Sequence, residues 1–273
     1  MKIYDLFDFI EDCMGRAKPL QAGRGRLRPN DRLLPQNNGL PEDAYPFSEI
    51  SPRLKVSISK RARRMALRLD AQSRQMMLVV PQRASLRAAF RFAEENREWI
   101  REKLRALPRP VAFKDGTVIP VFGKDRRIVV LYNPALKFTD IQMRKDEIIV
   151  LTNQQDPALR IRRFLMDEAK RRIAVMADEK AALIRRRVTE IQVKDTKSRW
   201  GSCAEDGRIA FSWRLIFAPL KALDYVVAHE VAHLAYMDHS ANFWRVCEEL
   251  SWAYDEGKGW MDVNGHELMR YGA

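Results

Sequence analysis

Residues 229–239 read His-Glu-Val-Ala-His-Leu-Ala-Tyr-Met-Asp-His and hold three of the four histidines in the chain. On a helix, residues four apart share one face, so His229 and His233 can direct their ring nitrogens at one metal ion. His239 follows six residues later, which leaves room for the chain to turn and return a third ligand. Glu230 can reach the water that such an ion activates, as in zinc hydrolases. Three protein ligands leave the fourth zinc position to water, which is typical of a catalytic site.

Chance explains this spacing poorly. With four histidines in 273 residues, a His-Glu-x-x-His pattern arises by accident roughly 0.004 times per chain. The sequence therefore predicts a Zn²⁺ site with His229, His233 and His239 as metal ligands. Glu230 is the predicted catalytic residue. We expect the fourth histidine, His266, at the surface, because it lies far downstream of the others.

The patterns around this segment predict the elements of the C-terminal half. Pro219 opens a helix free of Gly and Pro as far as His239, and Ser240 is expected to cap the next one. Asp156-Pro157 predicts the start of an earlier helix that could run to Arg187. Strand patterns cover residues 190–193 and 208–217.

The N-terminal half is predicted to be rich in strands. A helix begins after Ser85 and stops at Pro108. Alternating or short apolar runs predict strands at residues 54–58, 65–69, 76–80, 118–122, 127–131 and 147–151. The predicted fold class is therefore α+β, with a β-rich N-terminal half and a helical half that contains a small sheet.

Composition along the chain suggests three parts. Residues 1–50 include a possible short helix over residues 1–14 and a Gly- and Pro-rich stretch without apolar periodicity. We expect a flexible extension there, with order beginning near Arg53. A β-rich region is predicted over residues 51–153 and a catalytic region over residues 154–273.

Overall composition excludes several classes of protein. Hydrophobic residues make up 46% and charged residues 31% of the chain, which is ordinary globular usage and excludes wholesale disorder. No apolar run is long enough to span a membrane, so we expect no membrane partner. The three scattered cysteines (Cys13, Cys203 and Cys247) do not form a disulfide framework, which favours a cytoplasmic location.

The charge is strongly basic and unevenly placed. The net charge is +13, and residues 51–110 hold 16 Lys and Arg against 5 Asp and Glu, whereas residues 224–273 hold 3 against 9. Such an excess could bind a polyanion weakly, so nucleic-acid binding through the basic N-terminal half is possible. A solvated surface is the competing interpretation, because Arg91, Arg97 and Arg101 alternate with glutamates at helical spacing.

Several ordered motifs resemble one known family. They are Lys-Ser-Arg-Trp-Gly-Ser-Cys at residues 197–203, Phe-Ser-Trp-Arg-Leu at 211–215, Asp-Tyr-Val-Val-Ala-His-Glu at 224–230, and Asp-His-Ser with Phe-Trp at 238–244. Together they resemble the YgjP-like metallopeptidase family, which is related to the SprT-like and WLM zinc proteases. Weaker similarity at residues 61–69 and 118–123 extends the resemblance over about residues 53–271.

The resemblance implies a zincin-type catalytic half in which the metal-binding helix packs against a small sheet. It also implies that His229, His233 and His239 hold zinc and that Glu230 is the general base. The histidine spacing matches metzincins as well, but those proteins carry Gly where this chain has Tyr236. We therefore assign no Met-turn role to Met261.

The sequence leaves the roles of other residues open. We expect Trp200, Trp213 and Trp244 to lie in the core rather than to form a substrate platform. We expect Cys203 to be a small buried residue rather than a metal ligand or a nucleophile. Arg199 could stabilise a developing oxyanion or form a structural ion pair. Asp238 could orient a histidine or end a helix.

Three functions compete at this stage. A zinc-dependent metallopeptidase acting on a peptide or protein is favoured, with a strand in residues 199–215 holding the substrate by edge pairing. A metal-dependent phosphohydrolase acting on nucleotides could use the same activated water and the arginine excess. A nucleic-acid-binding module with a structural zinc is the third, although structural sites are closed by four Cys or His ligands.

Overall fold

The computed structural model describes residues 4–5, 45–70, 73–196 and 199–272. The described residues form two compact units, one within residues 45–108 and the other combining residues 4–5 with residues 109–272. The described residues form helices and three small sheets, with strands concentrated in the first half of the chain and helices in the second. The predicted α+β class is confirmed. The division at residues 50 and 153 stays a prediction.

None of the helices in these described ranges combines the length and the apolar character needed to cross a bilayer.

Most of the predicted N-terminal extension and of the helix predicted over residues 1–14 lies outside the described residues. Within it, Tyr4–Asp5 forms a short strand, β1, and Phe47–Ile50 forms a helical turn, α1. Phe47 and Ile50 are buried, and the Phe47 ring meets Phe90 edge-on at 5.4 Å between centroids. This turn lies a few residues before Arg53, and its apolar residues pack because positions three apart share its buried face.

The unit containing residues 45–108 is a three-stranded sheet with helices. Its strands are β2 (Leu54–Ser59), β3 (Ala66–Asp70) and β4 (Gln75–Pro81), in the order β2-β4-β3. β2 runs parallel to β4, and β3 runs antiparallel to it. The strand predicted from the apolar run at residues 76–80 is confirmed, and alternate residues of β4 are buried (Met76, Leu78 and Val80), because successive side chains of a strand point to opposite faces.

The helix predicted between Ser85 and Pro108 is two helices, α2 (Leu86–Glu95) and α3 (Arg97–Arg105). The predicted cap is confirmed, since the Ser85 hydroxyl accepts a hydrogen bond from the Ala88 backbone N–H at 3.2 Å. The single-helix prediction fails at Asn96, whose side-chain amide donates to the Phe92 carbonyl at 2.8 Å. An asparagine that bonds the backbone locally competes with helix continuation.

The second unit begins with a four-stranded sheet, whose order is β5-β6-β8-β7. Its strands are β5 (Val118–Val121), β6 (Lys124–Tyr132), β7 (Asp140–Met143) and β8 (Glu147–Thr152). β6 and β8 pair in parallel, and the other pairs are antiparallel. The sequence missed β7, which is short and has no fully buried residue.

A second sheet of this unit positions the histidine segment. Its strands are β9 (Glu190–Lys194), β10 (Gly201–Cys203) and β11 (Arg208–Ser212), and β1 completes the order β1-β10-β11-β9. The predicted strand over residues 208–217 ends at Ser212, because Trp213–Phe217 turns into a 3₁₀ helix. All five residues of that turn are buried, which a strand with one solvent face would not allow.

Helices cover this second sheet. They are α4 (Ala158–Leu183), α5 (Leu220–Ala232), α6 (Ala241–Leu250) and α7 (Tyr254–Asn264), and Gly265–Arg270 adds a 3₁₀ turn. Helix α4 ends four residues before the predicted Arg187. Helix α5 contacts β10, α4, α6 and α7, and every residue from Ala222 to Ala232 is buried. The histidine segment therefore begins on the most enclosed helix of the unit.

Candidate metal centre

Helix α5 brings the first two histidines to one face. His229 lies in its last turn, and His233 directly follows its end while keeping helical backbone angles, φ −62° and ψ −21°. Their ring centroids are 5.0 Å apart, and both residues are buried. The i, i+4 spacing thus does what the sequence predicted.

A tight turn returns His239 to the same place. The Asp238 carboxylate accepts a hydrogen bond from the Ser240 backbone N–H at 3.1 Å, and the Ser240 hydroxyl accepts one from the Phe243 N–H at 3.4 Å. Ser240 therefore caps α6 as predicted. These two bonds shape the turn, which brings the exposed His239 against the buried pair. We call His229, His233 and His239 the histidine cluster.

Two nitrogens of the histidine cluster have the separation of ligands on one metal ion, and the third lies close by. One ring nitrogen from each residue lies within 4.8 Å of the others, and the Nε2 atoms of His229 and His239 are 3.2 Å apart. Two nitrogens bound to one tetrahedral ion such as zinc, each at about 2.05 Å, lie about 3.3 Å apart. The cluster therefore fits a small tetrahedral cation.

Hydrogen bonding and burial prepare the rings for a cation. His233 Nδ1 lies 3.0 Å from the Tyr236 carbonyl oxygen, so Nδ1 carries the proton and Nε2 keeps its lone pair. Among the residues that the structure describes, that buried Nε2 has no hydrogen-bond partner. Burial lowers the pKa of His233 to about 4, and it lowers the pKa of His229 well below 6.5. Both rings are neutral at pH 7, as metal ligands must be.

Two aromatic residues of α6 wall the cluster. The Phe243 ring lies 4.9, 4.5 and 4.7 Å from the rings of His229, His233 and His239, respectively. Trp244 stacks on His239 with the centroids 5.4 Å apart. Phe243 is fully buried, whereas Trp244 is partly exposed. This apolar wall excludes water from one side of the cluster and fixes the ring orientations.

Glu230 is buried between α5 and β10. A Cβ placed on Gly201 would lie 2.5 Å from Glu230 Cγ and 2.6 Å from its Cδ, closer than any real side-chain contact. The carboxylate therefore occupies the space that a larger residue at position 201 would fill. Sequence reasoning noted the motif around Gly201 but missed this purpose, because the contact joins residues 29 positions apart.

Comparison with known protein families agrees with this geometry. The model of the YgjP-like metallopeptidase domain matches residues 63–264, about three quarters of the chain. The chain belongs to the YgjP-like metallopeptidase family. Membership supports a hydrolase that binds a metal ion and implies a protein substrate. No curated protein and no solved structure gives a significant match.

The loop that leads to β10 of this YgjP-like domain is anchored by ion pairs. Asp195 pairs with the fully buried Arg214 and with Arg162. Burial opposes ionisation of Asp195, but the hydrogen bond and charge of Arg214 and the charge of Arg162 together outweigh it and lower the carboxyl pKa. Arg214 also donates from Nε to the Tyr271 carbonyl at 3.0 Å. These contacts hold one end of the loop before Gly201.

The remaining sequence candidates of the YgjP-like domain fall outside the histidine cluster. Cys203 is buried in β10, and burial raises its thiol pKa to about 12, so it is the small buried residue expected. His266 lies 3.4 Å from Glu267 and is exposed, also as expected. Trp200 and Trp213 are buried core residues. The role of Arg199 stays a prediction; its carbonyl accepts a hydrogen bond from Thr196.

Proposed function

We propose that this chain is a zinc-dependent metallopeptidase. The histidine cluster holds the zinc ion, and Glu230 is the general base. The observation that carries the proposal is the convergence of three histidine ring nitrogens within 4.8 Å beside a buried glutamate. Zinc is favoured over other cations because three imidazoles and no carboxylate form the ligand set.

Each group has a task in hydrolysis. When bound, zinc would polarise the scissile carbonyl and lower the pKa of water towards about 7. Glu230 accepts the proton of the attacking water and passes it to the leaving amine. The Gly201 backbone keeps the Glu230 side chain in place, and Phe243 keeps the three rings together. The apolar wall strengthens these electrostatic interactions by excluding water.

The sheet offers a place for an extended substrate. β10 packs against α5, and its outer edge pairs antiparallel with β1, with Tyr4 opposite Cys203 and Asp5 opposite Ser202. This pairing supports the proposal that the edge of β10 accepts a strand from a peptide, because a bound peptide would make the same main-chain hydrogen bonds. Such a peptide would replace β1.

Metal analysis with paired activity assays tests the proposal. Wild-type protein should contain about one zinc per chain and hydrolyse members of a peptide library. His229→Ala should lose the zinc, whereas Glu230→Gln should keep zinc and fold but lose hydrolysis, because an amide cannot accept the proton. His266→Ala is the matched control, since it removes the one histidine outside the cluster and should change neither readout. Equal zinc content in wild type and His229→Ala would contradict the proposal.

The phosphohydrolase alternative is tested by the same proteins. Release of phosphate from a nucleotide panel, absent in Glu230→Gln, would favour it over peptide hydrolysis.

A cytoplasmic location also stays a proposal, and it rests on the scattered cysteines; Cys203 and Cys247 are free and buried.

A further inference from the structure

A cavity opens beside the histidine cluster. Its volume is about 310 Å³, and His233 forms part of its wall. Three segments line it: Arg186 and Arg187 after α4, the β10–β11 turn at residues 204–207, and Leu234 with Met237 after α5. Ligand pockets begin at about 300 Å³, so this volume suits one or two side chains rather than a large cofactor. The cavity is thus in the right place and of the right size for a side chain next to a bond held at the metal.

The arginine wall is fixed by main-chain contacts. After α4 ends, Arg185 adopts a left-handed φ of 52°, and the Arg186 N–H donates to the Ala181 carbonyl at 2.9 Å. This is the reversal that commonly ends helices. The Thr189 N–H then donates to the Gly207 carbonyl at 3.0 Å, which joins the segment to the β10–β11 turn. A backbone hydrogen bond therefore joins two of the segments that line the cavity.

The charge in the cavity is positive. Among the described residues, no salt bridge involves Arg186 or Arg187. On the opposite wall, the Asp206 carboxylate accepts from Arg208 Nε at 2.8 Å and from the Arg208 N–H at 3.2 Å. Its charge is compensated, so Glu205 is the one acid of the lining that faces two arginines.

We propose that this cavity is a substrate subsite that selects an acidic side chain close to the scissile bond. The inference rests on the proposed peptidase function. Arg186 and Arg187 bind the carboxylate, since guanidinium groups match its geometry with paired hydrogen bonds. Leu234 and Met237 contact the methylene groups of the side chain. A glutamate or aspartate near the cleaved bond would therefore raise kcat/KM over its amide counterpart.

Matched peptides test the subsite. Internally quenched peptides that differ only in Glu, Gln or Lys at one position near the cleaved bond are assayed with the zinc-loaded enzyme. We expect kcat/KM to be at least tenfold higher for the Glu peptide than for the Gln peptide at its preferred position. An Arg186→Gln/Arg187→Gln double variant should lose this preference through a rise in KM for the Glu peptide. Arg185→Gln is the control, because it removes the same charge from the same arginine run outside the cavity.

Peptide binding to an inactive variant distinguishes a failure of the subsite from a failure of the peptidase function. Zinc-loaded Glu230→Gln should bind the Glu peptide more tightly than the Gln peptide, and fluorescence anisotropy measures the difference. Equal cleavage of Glu and Gln peptides by the wild type would overturn the subsite and leave the peptidase standing. No cleavage of any peptide, with nucleotides hydrolysed instead, would overturn both. An unchanged Glu preference in the double variant would also overturn the assignment.

Discussion

Helix α5 carries two groups of buried polar side chains, and they differ in how the protein satisfies them. Near its beginning, Asp224 is bound on all sides: Lys180 Nζ lies 2.5 Å from Oδ1, and the Ser251 hydroxyl and Trp252 N–H donate to Oδ2 at 2.7 and 3.0 Å. Lys180 also donates to the Leu250 carbonyl at 2.6 Å. These bonds join α4 and α5 to the segment after α6.

The end of the same helix is different. Among the described residues, His229 Nδ1 and His233 Nε2 are buried without a hydrogen-bond partner. Buried polar atoms are nearly always paired, and the exception at His233 Nε2 needs an explanation, because the bond between Nδ1 and the Tyr236 carbonyl leaves Nε2 as the nitrogen that would bind a metal. The comparison teaches that burial alone does not mark a functional site. The Asp224 group is closed by protein atoms and stabilises the fold, whereas the histidine cluster is open towards a ligand.

The largest expected effect is on stability and concerns the Asp224 group near the beginning of α5. Asp224→Ala leaves the Lys180 charge buried without its partner, which should lower the free energy of unfolding by about 3 to 5 kcal/mol. Denaturant titration measures this loss. Glu256→Ala removes an exposed partner of Lys221 and serves as the control, for which we expect little change. Similar stability of Asp224→Ala and Glu256→Ala would show that the Asp224 group does not stabilise the fold.

The next largest effect is on activity and concerns the end of α5 that carries the histidine cluster and Glu230. Gly201→Ala should displace the Glu230 carboxylate and lower kcat/KM about 100-fold, because a misplacement near 1 Å costs that much. Zinc content should stay near one per chain. Gly259→Ala is the control, since a Cβ there meets nothing within 4 Å. Full activity in Gly201→Ala would show that the Glu230 position does not matter.

A smaller effect is expected where a histidine is replaced by an apolar residue. His229→Leu in metal-free protein should change the free energy of unfolding by less than about 1.5 kcal/mol, because the change conserves volume and removes an unpaired buried nitrogen. The same variant should bind no zinc. Chemical denaturation in the presence of a chelator provides the measurement. A loss as large as that of Asp224→Ala would mean that His229 also stabilises the fold.

The smallest effect concerns the basic N-terminal half, where three arginines of α2 and α3 are paired with glutamates. Arg91, Arg97 and Arg101 lie 3.8, 2.7 and 3.5 Å from glutamates one helical turn away. We therefore expect no measurable binding of a labelled oligonucleotide near 150 mM salt, where screening is strong. Fluorescence anisotropy across a salt series checks this. Tight binding at 150 mM would show that the arginines act on phosphates despite these pairs.

The sequence by itself determined the features that depend on local spacing. The i, i+4 histidines, the Ser85 and Ser240 caps and the strand at β4 were all predicted, because each follows from a local pattern of one helix or strand. Most strand positions and the α+β class follow from the same periodicity. The ordered motifs also pointed to the family that the comparison then confirmed.

Tertiary structure decided what depends on distant residues. Helix α7 escaped prediction because it contains Gly257 and Gly259, yet a Cβ at Gly257 would lie 2.7 Å from Tyr225 Cβ, so close packing on α5 requires the glycine. The fit of Glu230 over Gly201 arises in the same way. The arginine-lined cavity unites three segments that share no local pattern. Periodicity reports which face of an element is buried, but only the folded chain determines which atoms meet there.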